Sequence, residues 1–249
     1  MRPEANVMLA WFLGLSSLAE VIEGVIALAI YHQAFRFYRL SGERSLLRIS
    51  TAFLVLGLGL LTHGLALGAM LFILAGRFSS IRLVVLLSRL TSLTLFGCEA
   101  LAYGSLAFSY ARAGGGGETS GTGQRGPALG ALASLAQSPI LARPGKPLGP
   151  EFLIRFVRYH PFMEVVILAL LAYLTYKTIS NFLRSRDVNP FLVGFAFLLL
   201  TVAHLCFLLS YFLTAFYITA HVLQLLAFVS MCLLLVRVAG LGGAEEVQV

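Results

Sequence analysis

The sequence predicts an all-α, polytopic membrane helix bundle: six transmembrane helices arranged as a 3+3 internal, inverted repeat. Two observations predict the bundle and a third predicts the repeat. Hydrophobic residues occupy 59% of the 249 positions and charged residues 12%, with a mean hydropathy of +0.89, far beyond a soluble domain of average composition. Six apolar runs, 7–31, 50–76, 90–111, 162–182, 189–213 and 214–238, are each long enough to cross the hydrocarbon core, which takes about 20 helical residues. Residues 54–63, LVLGLGLLTH, are restated at 195–204, FAFLLLTVAH. Each run is preceded by a glutamate in an apolar helix, Glu20 or Glu164, and then by a basic, helix-interrupting turn, at 39–44 or 184–187.

In chain order, the first run could pass for a signal peptide, with Arg2 ahead of an apolar stretch ending Ser-Ser-Leu-Ala. The apolar pattern continues through Ile30, however, so cleavage would leave a fragment of a span. Glu20 and Glu23 stand three apart, on one helix face. Carboxylates at that depth are expensive and face a bundle interior, a partner or a water-filled cavity; protonated and hydrogen-bonded to neighbouring helices, they would merely pack. In the second run Gly57, Gly59, Gly64 and Gly68 leave little side chain, and the Gly64–Gly68 spacing allows close backbone approach. His63 lies between those glycines. Arg77, Arg82 and Arg89 bracket a short lead-in to the third run, which sets Ser92, Glu99 and Tyr103 on one face.

From 114 to 150 the texture turns Gly- and Pro-rich, the composition of a flexible linker. At 151–160 Phe152, Phe156 and Tyr159 alternate with Arg155 and Arg158, which fits a helix at the headgroup level. Asn189-Pro190 then opens the fifth helix as cap and first helical residue, and the aromatic residues around Tyr211–Tyr217 mark the turn into the sixth. That last helix carries Tyr217, His221 and Gln224 at helical spacing, with Gln224 matching Glu99 and Ser230 matching Ser105. The domain reading is therefore 1–113 as the first three-helix half, 114–150 as linker, 151–240 as interfacial helix and second half, and 241–249 as a tail.

The turn Tyr-Arg-Leu-Ser-Gly-Glu-Arg-Ser-Leu at 38–46, the Gly194-Phe195 helix start and Glu-Ala-Leu-Ala-Tyr-Gly-Ser-Leu at 99–106 together resemble small archaeal membrane proteins built from a three-helix repeat. The resemblance implies the repeat and carries no activity with it.

Several functions are excluded or disfavoured. No glycine-rich phosphate loop, nucleophile elbow or metalloprotease motif is present, and the two lysines, Lys146 and Lys177, are not placed for a retinal linkage in the last helix. Basic residues are scattered over short loops, so the net charge of +7 points to anionic lipid headgroups and not to nucleic acid. Cys98, Cys206 and Cys232 all lie in apolar runs, against a disulfide framework or thiolate zinc site.

Function is then read from the polar groups within the spans. His63 and His204 occupy matching mid-span positions and need hydrogen-bond partners; the stripes nominate Glu20 or Glu23 and Glu99 for the first, and Thr201, His221 and Gln224 for the second. The favoured reading is a small transporter or permeation protein with a midplane His/Glu site and no cofactor. A first alternative is an electron-transfer subunit holding haem b through two of His63, His204 and His221; a second is a non-catalytic sensor or assembly subunit, alone as a homo-oligomer or within a membrane complex. An enzyme is disfavoured. The location expected is the cell membrane, with the N-terminus outside.

Overall fold

A computed structural model describes residues 3–75, 81–114, 161–210, 212–213 and 215–245. They form six helices: α1 (Pro3–Ser41), α2 (Arg44–Ala75), α3 (Ile81–Gly114), α4 (Pro161–Ser185), α5 (Val188–Leu209) and α6 (Ala215–Glu245). Five have stretches long and apolar enough to cross a membrane: Leu13–Ser41, Arg44–Ile73, Pro161–Ser185, Val188–Leu209 and Ala215–Arg237. α3 is long enough but less apolar, because Ser88, Arg89, Thr91, Ser92, Thr94 and Glu99 interrupt its leucines. These lengths, with an outer surface of Leu, Val, Ile and Phe, fit a multi-pass integral membrane protein. The expected linker and the expected interfacial helix at 151–160 lie outside the described residues. α6 continues to Glu245, past the expected start of the tail at 241; no proline stops it there.

The inward face of each helix follows from spacing alone. In α1 the buried positions Glu20, Glu23, Ala27, Ile30 and Ala34 alternate steps of three and four, one stripe on an α-helix. α4 buries Glu164, Ile167, Leu171, Leu174 and Thr178 at the same intervals. α3 buries Leu95, Glu99, Ala102 and Leu106, and α6 buries Ala220, Gln224, Ala227 and Met231, again at equal intervals.

Each helix packs against its two neighbours in chain order, and α6 closes the ring on α1. Glycines set the tightest crossing. A Cβ added at Gly24 would stand 3.1 Å from the Gly57 carbonyl oxygen, and one at Gly57 would stand 3.1 Å from the Gly24 carbonyl oxygen. The turn between α1 and α2 is closed by Gly42 at φ +71°, whose N–H donates to the Tyr38 carbonyl at 2.8 Å. The α4–α5 turn uses Arg186 at φ +56°, with its N–H on the Phe182 carbonyl at 2.7 Å. The next backbone N–H bonds a serine hydroxyl in both turns, Glu43 to Ser41 at 3.2 Å and Asp187 to Ser185 at 3.5 Å.

Helix directions differ from the inverted arrangement that the sequence predicts. His221 of α6 meets Glu23 of α1 at 3.6 Å, and about two turns further along α6 Phe228 packs edge-on against Phe53 of α2, with ring centroids 6.4 Å apart. Gly57 packs on Leu28 and Gly24 on Leu61, so Phe53 lies beyond the level of Leu28. Moving from His221 to Phe228 therefore runs with α1; an antiparallel α6 would leave Phe228 roughly 20 Å from Phe53 at 1.5 Å rise per residue. α5 is antiparallel to α6, since Phe207 stacks edge-on with Tyr217 at 5.5 Å across the short turn. α4 is antiparallel to α5, with Phe182 against Phe191 at 5.2 Å at one end and Glu164 at His204 at the other.

α3 in turn is antiparallel to α2, where Gly59 faces Cys98 and His63 faces Ser92. Hence α1, α3, α4 and α6 point one way and α2 and α5 the other, and the last three helices repeat the directions of the first three. Strict alternation of consecutive spans, the premise of the inverted reading, does not hold between α3 and α4: Gly114 ends α3 at one end of the bundle and Pro161 starts α4 at the opposite end.

This arrangement has a direct readout. With the native cysteines Cys98, Cys206 and Cys232 replaced, single cysteines at Ser41 and Ser185 are expected to react with an impermeant maleimide from the same side of a sealed vesicle, and one at Leu213 from the other. Opposite sidedness for positions 41 and 185 would restore the inverted arrangement.

Candidate functional site

Two histidine–glutamate pairs sit in the two antiparallel helix pairs. His63 Nδ1 is 2.5 Å from Glu20 Oε2, and His204 Nδ1 is 2.9 Å from Glu164 Oε2. An ionised carboxylate only accepts, and with it Nδ1–H is the donor in each. All four side chains are buried. Small residues allow the first pair to form: Gly64 lets α2 approach to where an added Cβ would be 3.1 Å from Glu20 Cβ and from the Ser17 carbonyl oxygen, and Ser17 Oγ donates to the Gly64 carbonyl at 2.7 Å. α4 and α5 are tied by threonines. Thr201 Oγ1 donates to the Phe197 carbonyl at 2.8 Å, which leaves Thr175 to donate to Thr201, also at 2.8 Å.

A third pair crosses from the last helix to the first. Glu23 of α1 and His221 of α6 approach to 3.6 Å between Oε1 and Nδ1, with side chains 0% and 6% exposed. That is an ion-pair distance but too long for a hydrogen bond. His221 is packed by the edge-on rings of Tyr217 at 4.7 Å and Phe207 at 5.0 Å.

Around these pairs lie Glu99, within electrostatic reach of His63, His204, Glu20 and Glu164, and Tyr103, edge-on to His204 at 6.2 Å. Gln224, which the sequence pattern pairs with Glu99, is buried in α6. Several buried polar atoms make no hydrogen bond among the described residues: both oxygens of Glu23, both nitrogens of His221, Glu20 Oε1, His204 Nε2 and the Tyr103 hydroxyl. Buried polar atoms are ordinarily paired, so such a concentration marks a functional candidate.

The structure thus gathers His63, His204, Glu20, Glu23, Glu99, His221 and Gln224 into the interior of one ring. Their pairing differs from the nominations. Glu20 partners His63, but Glu23 turns to His221, and Thr201 bonds Thr175. His204 takes Glu164, which the stripes do not nominate. The signal for Glu164 is in the sequence all the same, since it precedes its turn and histidine in the order in which Glu20 precedes His63.

The three histidines that the sequence offers as haem ligands have protein neighbours of their own. His63 has Nδ1 on Glu20, and its Nε2, where iron would bind, is 3.4 Å from Ser92 Oγ. Phe207 packs edge-on against both His204 and His221, with ring centroids 5.7 Å and 5.0 Å away. Among the described residues no three His, Cys, Asp or Glu side chains converge as a metal-binding group. Comparison with protein-family models, with curated proteins and with solved structures found no match to this chain.

Proposed function

We propose that the chain is a small transporter or permeation protein of the cell membrane, built as a 3+3 repeat whose halves share one buried His/Glu site. The observation that carries this reading is the concentration of four glutamates and three histidines from all six described helices, all nearly inaccessible, inside a ring of apolar helices. Ionisable groups at that depth in an apolar bundle mark ion or substrate pathways. A packing role alone would not leave so many of their atoms unpaired.

The repeat is supported by the equal burial intervals in α1 and α4 and in α3 and α6, by the like hydrogen bonds in the two turns and by the two histidine–glutamate pairs. Parallel repeats about an axis along the membrane normal are one of the two transporter architectures, with the site between the halves. The outside N-terminus gains support from the helix directions. Arg36, Arg39, Arg44, Arg48, Arg112, Lys177, Arg184, Arg186 and Arg237 all fall towards one end of the ring, whereas Arg89 lies towards the other among the described side chains. By the positive-inside rule the arginine-rich end is cytoplasmic.

The test is cation flux into liposomes carrying the full chain, read with entrapped proton, sodium and potassium dyes. His63→Gln and His204→Gln keep a donor for each carboxylate but lose the titrating ring; they are expected to purify as the parent does and to lower flux about tenfold or more. Unchanged flux with a lowered melting temperature would assign the histidines to packing and sink the reading.

A further inference from the structure

The two histidine–glutamate pairs within the halves are hydrogen-bonded and repeat each other. The Glu23–His221 pair does neither. At the other junction between halves, α3 against α4, the matching positions are Phe96 and Ile167. Apolar packing thus suffices there, and burying a carboxylate beside an imidazole at the α1–α6 junction is an addition that costs desolvation without being required for the fold. We propose that Glu23 and His221 together hold one exchangeable proton, and that its occupancy is linked to the spacing of the α1–α6 junction.

The donor and acceptor inventory leads to this ligand. With Glu23 ionised and His221 neutral as its Nε2–H tautomer, both carboxylate oxygens are acceptors without donors, and a bare negative charge lies in apolar surroundings. One proton removes both problems. Added to Glu23 it forms an O–H that donates to the His221 Nδ1 lone pair; moved to His221 it forms an N–H that donates to the carboxylate. Either form calls for a hydrogen bond of about 2.6–3.2 Å, whereas the two atoms stand 3.6 Å apart. Taking the proton up therefore favours a closer α1–α6 junction, and releasing it favours a wider one.

A metal cation fits less well, since oxygen ligands take such ions at about 2.0–2.6 Å in sets of six or more, and no third ligand converges here among the described residues. The titratable groups within electrostatic reach of the pair are Glu20 on α1, His63 on α2, Tyr103 on α3 and His204 on α5, and the Tyr217 ring of α6 lies edge-on to His221. Over the ring interior as a whole, four buried carboxyls against three imidazoles also favour uptake of a proton over binding of an anion.

Proton binding stands on the geometry of the pair, while its coupling to flux rests on the transport reading above. The test is acid-minus-alkaline infrared difference spectroscopy of the full chain in liposomes, with cation flux measured on the same preparations. The parent is expected to show the carbonyl stretch of a protonated carboxyl in apolar surroundings. Glu23→Gln, a neutral isostere suited to the same space, should remove that component, and His221→Gln should shift its frequency by changing the hydrogen-bond partner. Glu43→Gln, in the exposed α1–α2 turn, should leave it unchanged. Survival of the full band in Glu23→Gln overturns the assignment, and loss there without any shift in His221→Gln overturns the sharing of the proton. Absence of flux in the parent, with the band behaving as expected, would remove the transport reading and leave the proton site standing.

Discussion

Leucine at position 24 is expected to break the α1–α2 crossing and to cost about 3 kcal/mol, the upper range for overpacking a tight site. Even a Cβ there would lie 2.8 Å from Leu61 Cγ, 3.0 Å from the Leu61 backbone nitrogen and 3.1 Å from the Gly57 carbonyl oxygen. A flexible side chain could move aside, but the backbone atoms belong to the facing helix and cannot yield without separating the helices. Separation would also pull His63 from Glu20, one turn away. Gly97→Ala is the control: nothing lies within 4 Å of a Cβ there, and alanine should gain up to about 1 kcal/mol through helix propensity. Unfolding titrations in detergent or bicelles measure both. A Gly24→Leu protein as resistant as the parent would mean that the crossing is not close-packed.

The second large effect is expected at His204 and Glu164. Glu164→Leu leaves the buried Nδ1–H of His204 without an acceptor and should cost about 2–3 kcal/mol, the penalty for an orphaned buried polar group. His204→Phe leaves the Glu164 carboxyl without its donor, at a similar cost. The double variant removes both polar groups and should be more stable than either single one, with a coupling energy of about 1–3 kcal/mol. Strictly additive losses would show that the 2.9 Å contact carries no energy of its own. The sign matters for the site: a pair that is expensive to break and cheap to replace is being kept for something other than stability.

Much of the bundle was legible in the sequence, because apolar length and three-four spacing report directly on burial. The stripe through Glu20, Glu23 and Ile30 can be counted off before any coordinates are seen, and the Glu20–His63 pairing follows from antiparallel neighbours. Direction was not legible between α3 and α4. Hydropathy has no arrow, and alternation of spans fails because α3 ends at one end of the ring and α4 starts at the other. The Glu23–His221 contact was hidden for a related reason. It joins the first helix to the last, and in the proposed repeat its members would match Ile167 and Phe96, so a recurring pattern carries no sign of it. Glu164 is marked only by its order in the chain, ahead of its turn and histidine as Glu20 is, whereas the polar stripes point to Thr201 and Gln224.

Closure of the ring by α6 on α1 sets an order of events during synthesis. At about 5–20 residues per second, some ten to forty seconds separate the emergence of Glu23 from that of His221. Over that interval the nascent first helices lie in the bilayer or the insertion apparatus with a carboxyl group facing an open flank. A chain cut short before α6 would keep that flank exposed permanently, presenting the cell with a persistent intramembrane acid, the kind of signal by which orphaned membrane segments can be recognised and destroyed.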